Sequence, residues 1–581
     1  MNLSGVLRPK VLEALLAVVC NTLGVITILA AIVAPTWVGT HILMWVLVIA
    51  VLCGPIQELW EPVRSGGALP LVMGTMSFAR IDVLLAALVV DYYGRGVTLG
   101  VAGVTLASLS ILAEQVTRPL IRRAVPVVSG ISGWEVPVPS LRLANLLYLV
   151  NLLAIVTATL SSTFDFSQAW LLLLVAVSAV LTFVLLVQVG RYYLQRSRFE
   201  RNLPAIMSQL APAFAFHWHA PAGTAYQASM WLPYLARLGT PYFVLVRTAA
   251  NFEEIVRLTD APVIMRAALT DLDDVIPSSL RVVFYVNTAV RNSHMIRFPH
   301  LTHIQLNHGD SDKITSVSPT FRQYTRNFVA GQAAIDRFAK HGVEVHPDQF
   351  VIVGRPQLEG MTIATRPIAA IAAPTVLYSP TWSGFYEDSD YSSLRAGPEI
   401  VRWLLDRGCT VVFRPHPYAR RHVANANACD QVIAMLAEDA KANGRQHVFG
   451  PAAETTMSVV DCFNAADAMV SDVSSVVSDF LFSGKPFAMA AVSTHGQAFR
   501  DEFPLSAAAY VFEVFRDGHT TSLEAALGDM LGADTLAPTR QRLRTYYLSD
   551  ADPEHYAERF LSAARGFLVE DATTPAGDPR S

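Results

Sequence analysis

Six apolar stretches fill most of the first 190 residues: Leu12–Ala34, Val38–Ile56, Phe78–Tyr93, Val97–Leu112, Leu143–Leu160 and Ala169–Val189. The first is a nearly uncharged run of the length that crosses about 30 Å of hydrocarbon. Backbone groups inside lipid must be satisfied within helices, so such runs leave the chain little freedom. No A-x-A-like cleavage site follows Leu12–Ala34, which reads as an anchor and not a removed signal. The chain of 581 residues is 52% hydrophobic and 16% charged, too apolar for an ordinary soluble enzyme. The excess is local, because residues 1–200 hold only 12 basic and 9 acidic side chains. Arg80 and Asp82, at the start of Phe78–Tyr93, read as an interfacial pair. The spans carry few charges and no repeated ionisable row, which weighs against a proton-coupled transporter.

Arginine sets the orientation. Arg8 with Lys10, then Arg64, then Arg118, Arg122 and Arg123, then Arg191, Arg196, Arg198 and Arg201 alternate with short links holding only Arg95 or Asp165. Positive charge marks the cytoplasmic side. Six spans would therefore place both the N-terminus and everything beyond Arg191 in the cytoplasm of a multi-pass cell-membrane protein.

The remaining residues hold 39 acidic and 32 basic side chains, which argues against a nucleic-acid partner. The five cysteines, Cys20, Cys53, Cys409, Cys429 and Cys462, show no CxxC spacing and read as free thiols. From Leu203 onward, short β-branched and aromatic runs alternate with amphipathic stretches, the pattern of parallel α/β layers. The strands expected are Ala213–His217, Tyr242–Val246, Val282–Val286, Ile304–Leu306, Phe328–Ala330 and Phe350–Val353, then Thr375–Tyr378, Thr410–Phe413, His447–Phe449, Ala468–Val470 and Pro486–Ala490. Gly360–Pro374 reads as a linker between the two sets. The expected organisation is a multi-span helical membrane domain (1–202), two doubly wound Rossmann-like domains (203–360 for the acceptor, 361–570 for a nucleotide donor) and a disordered tail (571–581).

Four segments carry the chemistry. In Ala468-Met-Val-Ser-Asp-Val-Ser-Ser475 an apolar strand ends in Ser471 and Asp472, and Ser474 and Ser475 open a helix. Orphan N–H groups and hydroxyls at a helix start suit a diphosphate, although Ser474 also reads as a plain cap. In Arg414-Pro-His-Pro417 two prolines hold His416 stiffly at a strand end, with Arg414 beside it. Val376-Leu-Tyr-Ser-Pro-Thr381 brings Thr381 to the same edge. In His303-Ile-Gln-Leu-Asn-His-Gly-Asp-Ser-Asp-Lys313, His308 reads as a base toward a hydroxyl, Gly309 allows close approach, Asp310 or Asp312 orients the imidazole and Lys313 contacts phosphate. Asp271-Leu-Asp-Asp274 reads as acidic residues at a helix start. His217 and His219 end the first strand and open a loop toward the acceptor, without the further ligand that a metal site needs. No metal and no cofactor is expected.

Taken in order, His308-Gly309 with Lys313, Ser379-Pro-Thr381, Arg414-Pro-His-Pro417, Ser471-Asp-Val-Ser-Ser475, Asp479-Phe480 and Lys485-Pro486 resemble the motifs of the CDP-glycerol:poly(glycerophosphate) glycerophosphotransferases, which include teichoic acid primases and polymerases. The resemblance covers about residues 300–500. It implies a two-domain GT-B fold, essential roles for His308 and His416, and donor phosphates near the segment from Ser471 to Asp479. Two departures bear on the acceptor and the polyol: Asn307 stands where the family usually has Trp, and Gly354-Arg355-Pro356 replaces Gly-Ser/Asn-Pro. The expected reaction moves glycerol phosphate, or a related polyol phosphate, from a CDP-activated donor such as CDP-glycerol to a lipid-linked or polymeric cell-envelope acceptor, releasing CMP. Two alternatives stand beside it: a GT-B nucleotide-sugar glycosyltransferase, and a membrane transporter with a nucleotide-binding module.

Overall fold

The computed structural model describes residues 9–65, 70–71, 76–96, 99–384, 390–550 and 555–569. The expected tail at 571–581 lies outside them. The chain divides into two compact units, Met1–Leu203 and Pro204–Ser581.

The first unit is built from α1 (Pro9–Val33), α2 (Val38–Ser65), α3 (Ser77–Arg95), α4 (Leu99–Arg123), α5 (Leu141–Phe164) and α6 (Gln168–Leu210), with a two-residue strand β1 (Val128–Ser129) before α5. Each helix overlies one of the six apolar stretches. Among the described residues, three helical segments, Leu15–Val33, Leu141–Phe164 and Gln168–Leu210, are long and apolar enough to cross a membrane. The polarity of the bundle is inverted relative to a water-soluble protein: Val18, Val19, Leu29, Leu149, Val180 and Phe183 face outward, whereas Arg80, Glu114, Arg118 and Asn151 are buried. Arg80 therefore does not sit at an interface as expected above. Its Nη1 meets Glu114 Oε2 at 3.1 Å, Arg118 Nε approaches the same oxygen at 3.4 Å, and both guanidinium groups lie over the Tyr148 ring. Asp82 lies against Gly24 of α1, where an added Cβ would collide with its carboxylate. A guanidinium buried among apolar helices is costly without a carboxylate, and only tertiary packing supplies one from α4.

The second unit holds two sheets. Strands β2 (Phe214–Trp218), β3 (Tyr242–Val246), β4 (Val263–Met265), β5 (Val282–Tyr285), β6 (Thr302–Gln305), β7 (Arg326–Val329) and β8 (Phe350–Ile352) pair in the order β4-β3-β2-β5-β6-β7-β8, all parallel. Strands β9 (Thr375–Ser379), β10 (Thr410–Phe413), β11 (Ala468–Ser471), β12 (Phe487–Ala491), β13 (Tyr510–Val514) and β14 (Thr520–Thr521) follow the order β10-β9-β11-β12-β13-β14, with only β14 antiparallel. Every residue of β2, β5, β11 and β12 is buried, as expected where helices cover both faces of a parallel sheet. Local signals start the helices between strands: Thr248 caps Ala249–Ile255, and Ser458 with Asp461 forms a capping box on Val459–Ala465.

Two expectations change. His447–Phe449 is not a strand, because only Val448 bridges to Val412, while the His447 imidazole accepts from Val411 N and meets Asp439 at 2.8 Å. Strands β4, β13 and β14 were not expected; β4 and β14 have three and two residues, too few for alternation to register. The last helix, Tyr556–Val569, packs on the first sheet's side: Phe560 meets Trp231 and Phe328, and Arg559 Nε donates to Ile352 O at 3.0 Å.

Candidate active site

Open α/β sheets bind ligands outside the carboxyl ends of their strands. In the first sheet His308 follows β6, and in the second Thr381 follows β9, Arg414 and His416 follow β10, and Asp472 follows β11. Three observations bring these ends together. A Cβ on Gly309 would lie 2.9 Å from Ser475 Oγ, so the loop after β6 touches the helix after β11. Lys313 Nζ lies 3.4 Å from Thr381 Oγ1. The Tyr226 ring, from the loop after β2, stands edge-on to His416 at 6.3 Å.

The two histidines are held in opposite tautomers. His308 Nδ1 is 3.0 Å from the carbonyl of Val286, which can only accept, so Nδ1 carries the hydrogen and Nε2 presents its lone pair. Asn307, in the left-handed conformation at φ 58°, turns the chain into this position, and Trp231 Nε1 holds its carbonyl at 2.6 Å. His416 Nδ1 accepts from Tyr418 N at 3.1 Å, so in the neutral ring Nε2 carries the hydrogen. The His308 side chain is open to solvent but stands within the mass of the unit; that desolvation lowers its pKa, and the charge of Arg355 adds to it. Burial pushes His416 down to about 4, helped by Lys313, His308 and Arg421. Near neutral pH one imidazole is a base and the other a neutral donor. Trp382 stacks on His416 at 6.1 Å and Tyr418 meets it edge-on at 5.6 Å.

Lys313 lies over the Tyr391 ring, and burial lowers its pKa to about 8 against the pull of Asp472 and Asp390. Asp472 is fully buried and accepts from Thr381 N (3.0 and 3.1 Å), Ser393 N (2.9 Å) and Ser393 Oγ (2.9 Å). Burial raises its pKa to about 6, which these bonds and Lys313 oppose. Its carboxylate therefore shapes the loop after β9. Ser471 Oγ donates to Ser379 O at 2.6 Å, another bond within the sheet.

Several expected roles change here. Arg414 Nη1 donates to the carbonyls of Ala453 and, at 2.9 Å, Met457, so this nitrogen braces the 452–457 turn. Asp479 forms a buried bidentate pair with Arg355 at 3.0 and 3.0 Å. Asp310 and Asp312 do not orient His308. Both are bound by Arg337, and Asp312 also accepts from Leu505 N (3.0 Å) and Tyr547 OH (2.9 Å). The side chain of Ser474 makes no capping bond, and Ser475 lies at the close approach to Gly309.

Arg355, Arg337 and Ser393 were missed as site-shaping residues. For Arg355 a signal existed in the altered Gly354-Arg355-Pro356 triplet. Asp271, Asp273 and Asp274 lie on a single 3-10 turn, Thr270–Val275, where Asp273 and Asp274 pair with Arg297 and Arg266. His217 is fully buried inside β2, while His219 stands half-buried beyond it.

No curated protein matches the sequence. Similar solved structures include the Wall Teichoic Acid Polymerase TagF soaked with CDPG, at 10% identity and a TM-score of 0.40, covering 65% of this chain and 95% of that one. Others are S. aureus MnaA in a co-structure with UDP (12% identity, TM-score 0.40, 61% and 96% covered) and a UDP-N-acetylglucosamine 2-epimerase (11%, 0.38, 62% and 97%). Residues 364–499, which carry β9 to β12 and the motifs at Thr381, His416 and Ser474, match the family model of the CDP-Glycerol:Poly(glycerophosphate) glycerophosphotransferases, the family that this chain resembles.

Proposed function

We propose that the chain is a membrane-embedded glycerophosphotransferase-like enzyme. It moves glycerol phosphate, or a related polyol phosphate, from a CDP-activated donor to a hydroxyl of a lipid-linked or polymeric acceptor. The observation that carries this reading is the pair of histidines in opposite tautomers, one on each sheet, beside a lysine. In the reaction His308 Nε2 takes the hydroxyl proton as the acceptor oxygen bonds to phosphorus. The bond from that phosphorus to the bridging oxygen breaks, and CMP leaves with the electron pair. His416 Nε2–H and the Lys313 ammonium stabilise the developing charge on the diphosphate, and Ser474 and Ser475 add hydroxyl donors. The six helices of the first unit form the membrane part, with the second unit in the cytoplasm, where nucleotide donors are made.

The test replaces His308 by Ala and measures turnover, CDP-glycerol affinity and melting temperature on one preparation. The expected result is a rate lower by about 100- to 10,000-fold with donor affinity and folding retained. Near-normal turnover per folded molecule would remove His308 from the mechanism. Release of UDP instead of CMP, in a screen of UDP-sugars against CDP-glycerol and CDP-ribitol, would replace the reaction by sugar transfer.

A further inference from the structure

The order of the first sheet puts its winding reversal between β2 and β5, with β3 and β4 on one side and β6 to β8 on the other. Ligands of doubly wound sheets lie in the crevice at this point. The segments leaving β2, β3 and β5 bring His219, Arg247, Arg291 and His294 there. Arg247 is fully buried and forms no ion pair among the described residues. Its guanidinium donates to the carbonyls of Arg266 (2.6 Å), Ala267 (3.1 Å) and Ala268 (3.2 Å), and Nη1 lies 3.2 Å from His294 Nδ1. Carbonyls satisfy its hydrogens but leave its charge in place, and Arg291 and Arg297 repel it, with Asp271 as the opposing carboxylate. Arg291 is exposed and donates to Arg247 O at 3.3 Å; it too forms no ion pair among the described residues. His219, half-buried, is turned by a 3.2 Å contact from Nδ1 to Asn251 Oδ1.

The same loop reaches the proposed base. Val286 O holds His308, the adjacent Asn287 Oδ1 accepts from Asn292 Nδ2 at 2.6 Å, and Asn292 Nδ2 also meets His219 O at 3.1 Å. Arg291 and Asn292 are adjacent in the segment leaving β5, the same segment whose Val286 carbonyl holds His308. A surplus of positive charge with a planar, exposed guanidinium suits a phosphate ester.

We propose that Arg291, His219 and His294, backed by the buried charge of Arg247, form an anion site that holds a phosphate of the acceptor beside its attacking hydroxyl. This rests on the transferase reading for the identity of the occupant. A growing polyol phosphate chain and a lipid diphosphate share the required chemistry.

The test uses the full chain in detergent and calorimetric titration with two probes, sn-glycerol 3-phosphate for the polymer end and geranyl diphosphate for the lipid end, and with CDP as a donor-site control. At least one probe is expected to bind, and Arg291→Gln to weaken it on the order of tenfold or more while CDP affinity is unchanged. Arg291→Lys should recover part of the loss, and His294→Gln should weaken the same probe. The probe affected identifies the source of the phosphate. Failure of both probes to bind the wild type, or binding to Arg291→Gln equal to wild type, overturns the site. Arg291-dependent probe binding without any CDP binding would instead sustain the site and reject the transferase reading.

Discussion

The pair between Arg355 and Asp479 decides whether a motif residue binds donor or holds the protein together. Arg355 follows the first sheet and Asp479 lies on the helix after β11, so the pair ties the two sheets across the cleft. Arg355 is 5% and Asp479 8% exposed. Burial works against the Arg355 charge, yet Asp479 raises its pKa overall. Asp479→Asn keeps the shape and leaves a buried guanidinium without its counter-charge, a loss of about 3–5 kcal/mol. At about 2 °C per kcal/mol for a large domain, the melting temperature should fall by roughly 6–10 °C. CDP affinity of the folded fraction should stay within about twofold, since losing a carboxylate that accepted from a hydroxyl or amino group of the nucleotide would cost far more. The double variant Arg355→Met with Asp479→Leu removes both charges and should recover most of the stability. Thermal unfolding and CDP titration on the same detergent-solubilised samples read both quantities. Loss of CDP binding with an unchanged melting temperature would refute the structural role and return Asp479 to the donor site.

Further outcomes follow from the site. Turnover should have a bell-shaped pH profile: it rises through a value below 6.5 as His308 becomes neutral, and it falls near pH 8 as Lys313 loses its proton. Lys313→Arg should move the upper limb to higher pH, and an unmoved limb would exclude Lys313. Ser474→Ala with Ser475→Ala should weaken donor affinity in a folded protein; unchanged affinity would place the diphosphate elsewhere. Valine at Gly309 should lower turnover, because the Cβ already falls 2.9 Å from Ser475 Oγ; normal kinetics would argue against this close approach. A reporter fused after Ser581 should be active only inside the cell, and activity outside would reverse the proposed topology.

Long, strongly patterned features are legible in the order of residues alone. The apolar runs mark the positions of six helices, because lipid-length runs and helix-length elements are local properties of consecutive residues. Most strands follow for the same reason, and His308 and His416 stand out because glycine and proline neighbours mark constrained turns. What a charged side chain touches is a different kind of fact. Arg80 has Asp82 two positions away but meets Glu114, and Arg414 stands in a phosphate-like motif but braces Ala453 and Met457. Asp310 neighbours the base yet faces Arg337, and Asp479 sits in the donor motif yet faces Arg355. Their partners come from elements 27 to 124 residues away. A buried charge is stabilised only by a counter-charge within a few ångströms, and which one arrives is decided when the sheets and helices pack.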